Sequence, residues 1–536
     1  MNNYLIQQKI ILKLIITVFV LYVMFYNLGG HCLEDWDEAF YAVMAETAIK
    51  NNNYLFLEYQ NEIHWSKTPF PVYPMMLSFK LLGVNEISAR IPSAFFALGI
   101  LLQIYYIAKH YYGDIAALLA VLIAITSEQF IFYHGLKTAN IESITLFFLT
   151  GSISSWLLIK NHTAKIITTI MFLSATFMCK GPIVLIPAII LSLSCFKENP
   201  FKNNYLKGLT IGFVIAVLTI LPWYIYAIKL HGDIFIKNHI IYNFLQRYTE
   251  GIEGNYGEKM YFLKYILSSK HFIWNGAAIL SVIYFIKLYI DQKRLSDLVI
   301  LSWIIITFVI VNQSQTKLWW YMYPIYPPLA IAIAVTLVNF IKNPSLLNRL
   351  SYYICALSIV SYLYNFDLFY EILSNNFNGI VRATLIIITI IVIFEIAVSR
   401  FIENYSKYFR VLLILAIIIY PIFNTVRTTN KEYYNAPILS YIHRTDFSRT
   451  VYLFTIHPRI VFPSDYYYLS LITEVIPIDL KRADLPQKTR GLIRTELLEN
   501  FERKGDNIYQ YIREDGRKII LEQSENKNGI SVVEVY

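Results

Sequence analysis

Along most of this chain, apolar residues come in long runs separated by short polar breaks, and the pattern changes only near residue 427. Apolar stretches of roughly 17 to 25 residues are long enough to cross hydrocarbon as helices. They predict spans near 9 to 29, 88 to 108, 114 to 127, 138 to 159, 164 to 179, 182 to 196 and 207 to 229. Further spans follow near 271 to 288, 297 to 312, 323 to 341, 351 to 370, 382 to 400 and 409 to 425, about thirteen in all. The breaks lengthen at about 30–87 and about 230–270. From 427 onward, the alternation Thr450-Val-Tyr-Leu-Phe-Thr-Ile456 predicts a strand, 491–503 a helix, and Asp515-Gly516 between two apolar runs a hairpin. The expected fold class is a polytopic α-helical membrane domain over 1–426 with a small C-terminal α/β domain over 427–536.

Basic residues in alternate short breaks orient the spans. Lys9 and Lys13, Lys109, Lys160 and Lys165, Lys197, Lys287, Lys342 and Arg349, and Arg400 fall in one set, which places the N-terminus inside. The opposite set holds the acidic stretch 30–87, with Glu34, Asp35, Asp37, Glu38, Glu46, Glu58, Glu62 and Glu86. Both long loops and the domain after 427 are therefore expected outside. The first apolar run has a basic start and no small-residue cleavage site, and is expected to remain as an uncleaved span.

Composition agrees: 56% of residues are hydrophobic and only 15% charged, so most of the chain is expected among membrane lipids. A net charge of +9 raises the question of nucleic acid, but the cations are scattered over short loops and form no basic stripe. Nucleic acid is not an expected partner. There is no P-loop and no GxGxxG, so no bound nucleotide drives the chemistry. Cys32, Cys179, Cys195 and Cys355, and the histidines His31, His64, His134 and His239, lack metal-site or disulfide spacing. No metal and no cofactor are expected.

Candidate chemistry concentrates in the first long loop. Asp35-Trp-Asp-Glu-Ala-Phe-Tyr-Ala-Val-Met predicts a helix with Phe40, Val43, Met44 and Thr47 on one face, lying along the membrane surface. Asp37 and Glu38 stand at its start. Carboxylates beside a bilayer and beside each other are placed to have perturbed pKa values and to act as bases. A capping box of Asp35 with Glu38 is the plainer alternative for Glu38. Further on, Lys67-Thr-Pro-Phe-Pro-Val-Tyr-Pro74 predicts a rigid extended segment that would aim Lys67, where a lysine snorkelling to headgroups is the alternative.

The Asp37-Glu38 pair, the Lys67-Thr-Pro-Phe-Pro segment and Asn85-Glu-Ile-Ser-Ala-Arg-Ile-Pro-Ser93 resemble the first outer loop of GT-C glycosyltransferases of the aminoarabinose transferase and protein O-mannosyltransferase superfamily. The resemblance continues in order through Lys137-Thr-Ala-Asn-Ile-Glu142, Lys180-Gly-Pro182, Pro222-Trp-Tyr224, Phe244-Leu-Gln-Arg-Tyr248 and Lys317-Leu-Trp-Trp-Tyr-Met-Tyr-Pro324. It implies a sugar donor on a polyprenyl phosphate, an acidic reaction centre at Asp37, with Glu38 beside it, and a second acidic position at Glu142. Lys67, Arg247 and Tyr321, with Arg90 and Lys317 behind them, are the candidates for the donor phosphate; for Arg247 the alternative is an ion pair with Glu250. Pro222-Trp-Tyr and Lys180-Gly-Pro also read simply as a helix end and a turn. Phe40 and Ser66 depart from the aminoarabinose pattern and leave the sugar open.

The resemblance thus implies a bacterial inner-membrane enzyme, with its N-terminus cytoplasmic and its C-terminal domain periplasmic. It would move a sugar, with inversion, from undecaprenyl phosphate to lipid A or another envelope glycolipid. A protein O-glycosyltransferase, with a protein acceptor, is the alternative within catalysis. A lipid or sugar transporter or flippase is the alternative outside it, but transporters carry polar groups at mid-membrane. Here the charged candidates cluster at span ends.

Overall fold

The computed structural model describes residues 2–60, 62–197, 203–252, 254–267, 274–342, 418–419, 421–430, 451–455, 463–470, 475–479, 489–494, 497–498, 501–505, 507–512, 518–527 and 530–535. By their contacts they form two compact units. One comprises Met1–Tyr26, Trp65–Pro71 and Ser93–Lys431; the other comprises Asn27–His64, Val72–Pro92 and Glu432–Tyr536.

The first unit is helical. Among the described residues, five helical stretches are long and apolar enough to cross a membrane: Glu86–Tyr112, His162–Cys195, Lys207–Thr249, Leu295–Gln313 and Trp319–Phe340. Others are shorter. Asp114–Ile125 has 12 residues, which at 1.5 Å per residue is about 18 Å against a hydrocarbon core of about 30 Å. The expected spans 351–370 and 382–400 lie outside the described residues, as does most of 409–425.

Helix His162–Lys180 packs against Asn203–Phe235 and Glu142–Leu158, and Tyr326–Lys342 packs against Asp114–Ile125 and Asn275–Gln292. The core is mainly aliphatic, with several large rings set into it. Trp274, Trp303, Phe130, Phe262, Phe285 and Phe340 are fully buried, and Phe130 stacks on Tyr326 at 4.7 Å. Tyr323 takes its hydroxyl to the carbonyls of Gln129 and Tyr133, which resolves the polar end of a buried ring.

The stretch 230–270, expected as a loop, is largely helical. Asn203–Phe235 runs past Pro222 with a break at Gly232 (φ 49°), so Pro222-Trp-Tyr lies inside a helix and does not end one. Ile236–Gln246 continues in π-helical geometry. The segment after Lys67 is likewise not extended: it turns, makes a 3-10 stretch over Phe70–Val72, and enters helix Tyr73–Leu82 with Pro74 in its first turn. Proline is tolerated there because its missing N–H would be unpaired anyway.

The second unit holds a seven-stranded mixed sheet. Its strands are β3 (Val451–Thr455), β4 (Val475–Asp479), β5 (Thr489–Arg494), β6 (Glu502–Gly505), β7 (Ile508–Ile512), β8 (Lys518–Lys527) and β9 (Ile530–Val535), in the order β4-β3-β5-β9-β8-β7-β6. β3 is parallel to β4 and β5; the remaining pairs are antiparallel. The expected hairpin forms between β7 and β8, from Ile512↔Lys518 to Ile508↔Glu522. Within 491–503, expected as a helix, the described residues 491–494 and 502–503 are strand. Gly491-Leu-Ile-Arg pairs between β3 and β9 and buries Leu492 and Ile493, and cross-strand pairing outweighs local propensity.

The loop before residue 65 folds with this sheet. β1 (Glu58–Tyr59) and β2 (Glu62–Ile63) make a small hairpin, and helix Asp37–Lys50 packs against helix Pro463–Ser470. The Asp37 helix was expected as a one-faced surface helix. Instead Ala39, Tyr41, Ala42, Val43, Met44, Ala45 and Ala48 are all buried, so it is a core helix of this unit.

Candidate active site

In the second unit, the turn that delivers Asp37 is built around one guanidinium. Arg90 donates from Nε and Nη2 to the two Glu38 carboxylate oxygens at 2.9 and 2.7 Å. Its other N–H groups reach the carbonyls of Leu28 (2.7 Å), His31 (2.9 Å) and Cys32 (2.8 Å). Arg90 is 1% exposed and Glu38 2%. A bidentate fork with its remaining donors on carbonyls is the arrangement in which a buried arginine is fully compensated. Arg90 and Glu38 are thus paired with each other, and the remaining Arg90 donors are taken up by the carbonyls of the loop.

The capping box does not form. The residue before the helix is Trp36, which makes no side-chain cap, and Glu38 accepts from the Glu34 N–H at 3.0 Å. Trp36 has φ 71° and ψ −107°, a conformation costly for any residue with a Cβ. Asp37 follows it as the first residue of the helix, half-buried, where the helix N-terminus favours a carboxylate.

In the first unit, a pocket of about 160 Å³ collects three cations. Lys67 stands on the turn after Trp65, its Nζ donating to the Ser66 carbonyl at 3.1 Å. Buried Thr68 anchors that turn by donating to the Met178 carbonyl at 2.5 Å. Lys180 ends helix His162–Lys180; its Nζ meets Glu142 at 2.5 Å and lies 5.3 Å above the Tyr321 ring. Arg247 donates to the Tyr321 hydroxyl at 3.4 Å. The remaining wall is mainly apolar, with Phe177, Ile183, Leu185, Ile186, Phe244, Ile310 and Val311, and no carboxylate is among the described lining residues.

Local backbone explains why these side chains meet. In a π-helix each N–H bonds five residues back, so residues four and five apart share a face. That puts His239, Asn243, Phe244, Arg247 and Tyr248 of Ile236–Gln246 and its continuation on the pocket wall. His239 is fixed there by the Trp65 carbonyl at Nδ1 (2.6 Å) and the Tyr224 hydroxyl at Nε2 (3.1 Å). Gly181 (φ 51°) turns the chain after Lys180, and a Cβ on it would lie 2.5 Å from Phe244. The Lys180-Gly-Pro turn is thus also a close approach that only glycine permits.

Of the residues expected at a donor phosphate, Lys67, Arg247 and Tyr321 line this pocket. Glu142 sits behind it as the partner of Lys180. Lys317 is elsewhere in the unit: its Nζ donates to the Asn312 carbonyl at 2.6 Å and lies 5.3 Å above Phe262, and burial lowers its pKa. Neither Lys180, named only within the Lys180-Gly-Pro turn, nor His239, named only among histidines without metal spacing, was among the expected phosphate-site residues. The available signal for Lys180 was a lysine closing an apolar run directly before Gly-Pro; His239 had none, because π-helical register leaves no periodicity to read.

Residues 66–226 match the family model described as dolichyl-phosphate-mannose-protein mannosyltransferase. An uncharacterized protein of Aquifex aeolicus is 25% identical over 348 residues, covering 63% of this chain and 65% of that protein. The undecaprenyl phosphate-alpha-4-amino-4-deoxy-L-arabinose arabinosyl transferase of Edwardsiella ictaluri is 24% identical over 328 residues, covering 59% and 58%. The aligned stretches thus span 65% and 58% of these two relatives, less than two thirds of either. The crystal structure of ArnT from Cupriavidus metallidurans bound to undecaprenyl phosphate superposes with a TM-score of 0.69 over 97% of both chains, at 15% identity. Residues 66–226 are thus similar to the protein mannosyltransferase family, and the chain as a whole shares the fold of the ArnT structure.

Proposed function

We propose that this chain transfers a sugar, with inversion, from undecaprenyl phosphate to lipid A or another envelope glycolipid on the periplasmic side of the bacterial inner membrane. The observation that carries the reading is the pocket where Lys67, Lys180 and Arg247 stand in an apolar wall. An amphiphile with an anionic headgroup matches such a lining: the wall takes the prenyl chain, and the cations and Tyr321 take the phosphate. The named ligand of the ArnT structure has the same chemistry.

In the transfer, the acceptor oxygen forms a bond to the anomeric carbon as the bond from that carbon to the phosphate oxygen breaks. The leaving polyprenyl phosphate gains negative charge, which Lys67 and Arg247 would offset. Asp37 would take the acceptor proton, or stabilise the oxocarbenium-like sugar if the acceptor is already an anion. This orientation has the N-terminus cytoplasmic and residues 427–536 periplasmic. A protein acceptor is the second reading, and the name of the matching family model favours it.

Binding of undecaprenyl phosphate to purified protein in nanodiscs tests the pocket. Lys67→Ala and Arg247→Ala are each expected to weaken it by about 10-fold or more, from about 1.5–3 kcal/mol for a hydrogen bond to a charged group. Unchanged affinity in both would remove the phosphate from this pocket. Asp37→Asn is expected to lower transfer by about 10²- to 10⁴-fold with donor binding intact. The readout is mass spectrometry of envelope glycans from a deletion strain carrying each variant, which also distinguishes a lipid from a protein acceptor.

A further inference from the structure

The sheet of the second unit carries an arginine that reaches the Asp37 turn from far along the sequence. Arg494, the last residue of β5, donates from Nη2 to Asp35 at 2.7 Å and from Nε to Asp465 at 2.6 Å. The other Asp35 oxygen accepts from Ser464 twice, from its N–H at 3.1 Å and its hydroxyl at 2.6 Å. One helix turn on, the Tyr468 hydroxyl accepts from the Leu33 N–H at 2.9 Å and donates to Glu86 at 2.8 Å. Arg494 is 7% exposed, Asp465 1% and Ser464 0%.

We infer that Arg494 and helix Pro463–Ser470 are the positioning element for Asp37, and that this is what the C-terminal sheet contributes to the reaction. The inference rests on the proposed catalytic role of Asp37. Trp36, between Asp35 and Asp37, holds a strained backbone conformation that persists only when its surroundings over-determine it. The Asp37 helix fixes one side of Trp36. Asp35 fixes the other, and Asp35 is held from the sheet. A buried guanidinium between two carboxylates with hydroxyl support is a geometry that fixes direction as well as distance. Asp465 sets the angle of Arg494, and Arg494 with Ser464 sets Asp35.

Releasing Asp35 should let Trp36 relax and carry the Asp37 carboxylate with it. A misplacement of about 1 Å can cost about 100-fold in rate. The residues lining the cation pocket all belong to the first unit, so donor binding should not change.

The test compares Arg494→Ala, Arg494→Lys and Asp35→Asn with wild type and with Asp37→Asn, each as the full chain in nanodiscs. Three readouts are taken: amide hydrogen exchange, undecaprenyl phosphate binding, and glycan transfer in the deletion strain. Expected is faster exchange across residues 33–38, transfer lowered about 10- to 100-fold, and affinity for undecaprenyl phosphate within about twofold of wild type. Arg494→Lys should recover part of the transfer, since it keeps the charge and loses the fork. Should Arg494→Ala lose the sheet altogether, Arg494→Lys and Asp35→Asn decide. Wild-type exchange at 33–38 and wild-type transfer in those two variants, with Asp37→Asn inactive, overturns the inference alone. Full transfer in Asp37→Asn overturns the catalytic reading and the inference with it.

Discussion

Glu38 and Glu142 are each held by a cation at similar range, Arg90 at 2.7 Å and Lys180 at 2.5 Å, yet the two pairs differ in how open the cation is. The Arg90 side chain is 1% exposed and its donors run to Glu38 and three loop carbonyls. The Lys180 side chain is 16% exposed and faces a pocket shared with Lys67 and Arg247. Ion-pair distance does not separate a frame from a site; solvent access and the fate of the cation's other donors do. A planar guanidinium can satisfy a whole turn of carbonyls, which a lysine cannot.

The largest effect should come from Arg90→Ala. It strands the Glu38 carboxylate in the interior and frees three carbonyls, and breaking a buried pair of this kind costs about 3–5 kcal/mol. Thermal unfolding in nanodiscs should show the loss as a lowered midpoint, with undecaprenyl phosphate affinity of the folded fraction unchanged. The opposite pattern, a native midpoint with weakened affinity, would break the comparison and return Arg90 to the phosphate.

Lys180→Met should do the reverse. The pocket loses a cation and gains the uncompensated Glu142 carboxylate beside it, so undecaprenyl phosphate affinity is expected to fall about 10- to 100-fold. Adding Glu142→Gln removes the stranded charge and should restore stability while leaving affinity low. Recovery of full affinity in the double variant would mean that Lys180 acts only by neutralising Glu142. That would make the two pairs alike after all.

The contrast also marks what the sequence could disclose. Lys67, Arg247 and Tyr321 each sit in a short motif with a rigid neighbour, and all three line one pocket. The surroundings of the Asp37 turn were not legible, because the flanking Asp35 meets Ser464 across 429 positions. The core status of helix Asp37–Lys50 was hidden by Ala39, Ala42, Ala45 and Ala48, which are buried yet too weakly apolar to mark a face. Strand β5 read as helix because its residues suit either state until β3 and β9 flank it. Runs of alternation with a turn signal, such as β7 and β8, needed no distant partner and came through.

Tyr321 offers the smallest effect and the finest division of the pocket's chemistry. Its hydroxyl accepts from Arg247 at 3.4 Å, a long contact, while its ring lies 5.3 Å below the Lys180 ammonium. Tyr321→Phe removes the hydroxyl and keeps the ring, so affinity for undecaprenyl phosphate should fall only about 2- to 10-fold, from about 0.5–1.5 kcal/mol for a neutral hydrogen bond. Tyr321→Leu also removes the ring face, and a cation–π contact adds about 0.5–2 kcal/mol depending on how dry the site is. The ratio of the two dissociation constants therefore reports how far Lys180 is desolvated when the lipid is bound. A ratio near one would place Lys180 in water, so that the ring does not hold it and the hydroxyl alone accounts for Tyr321.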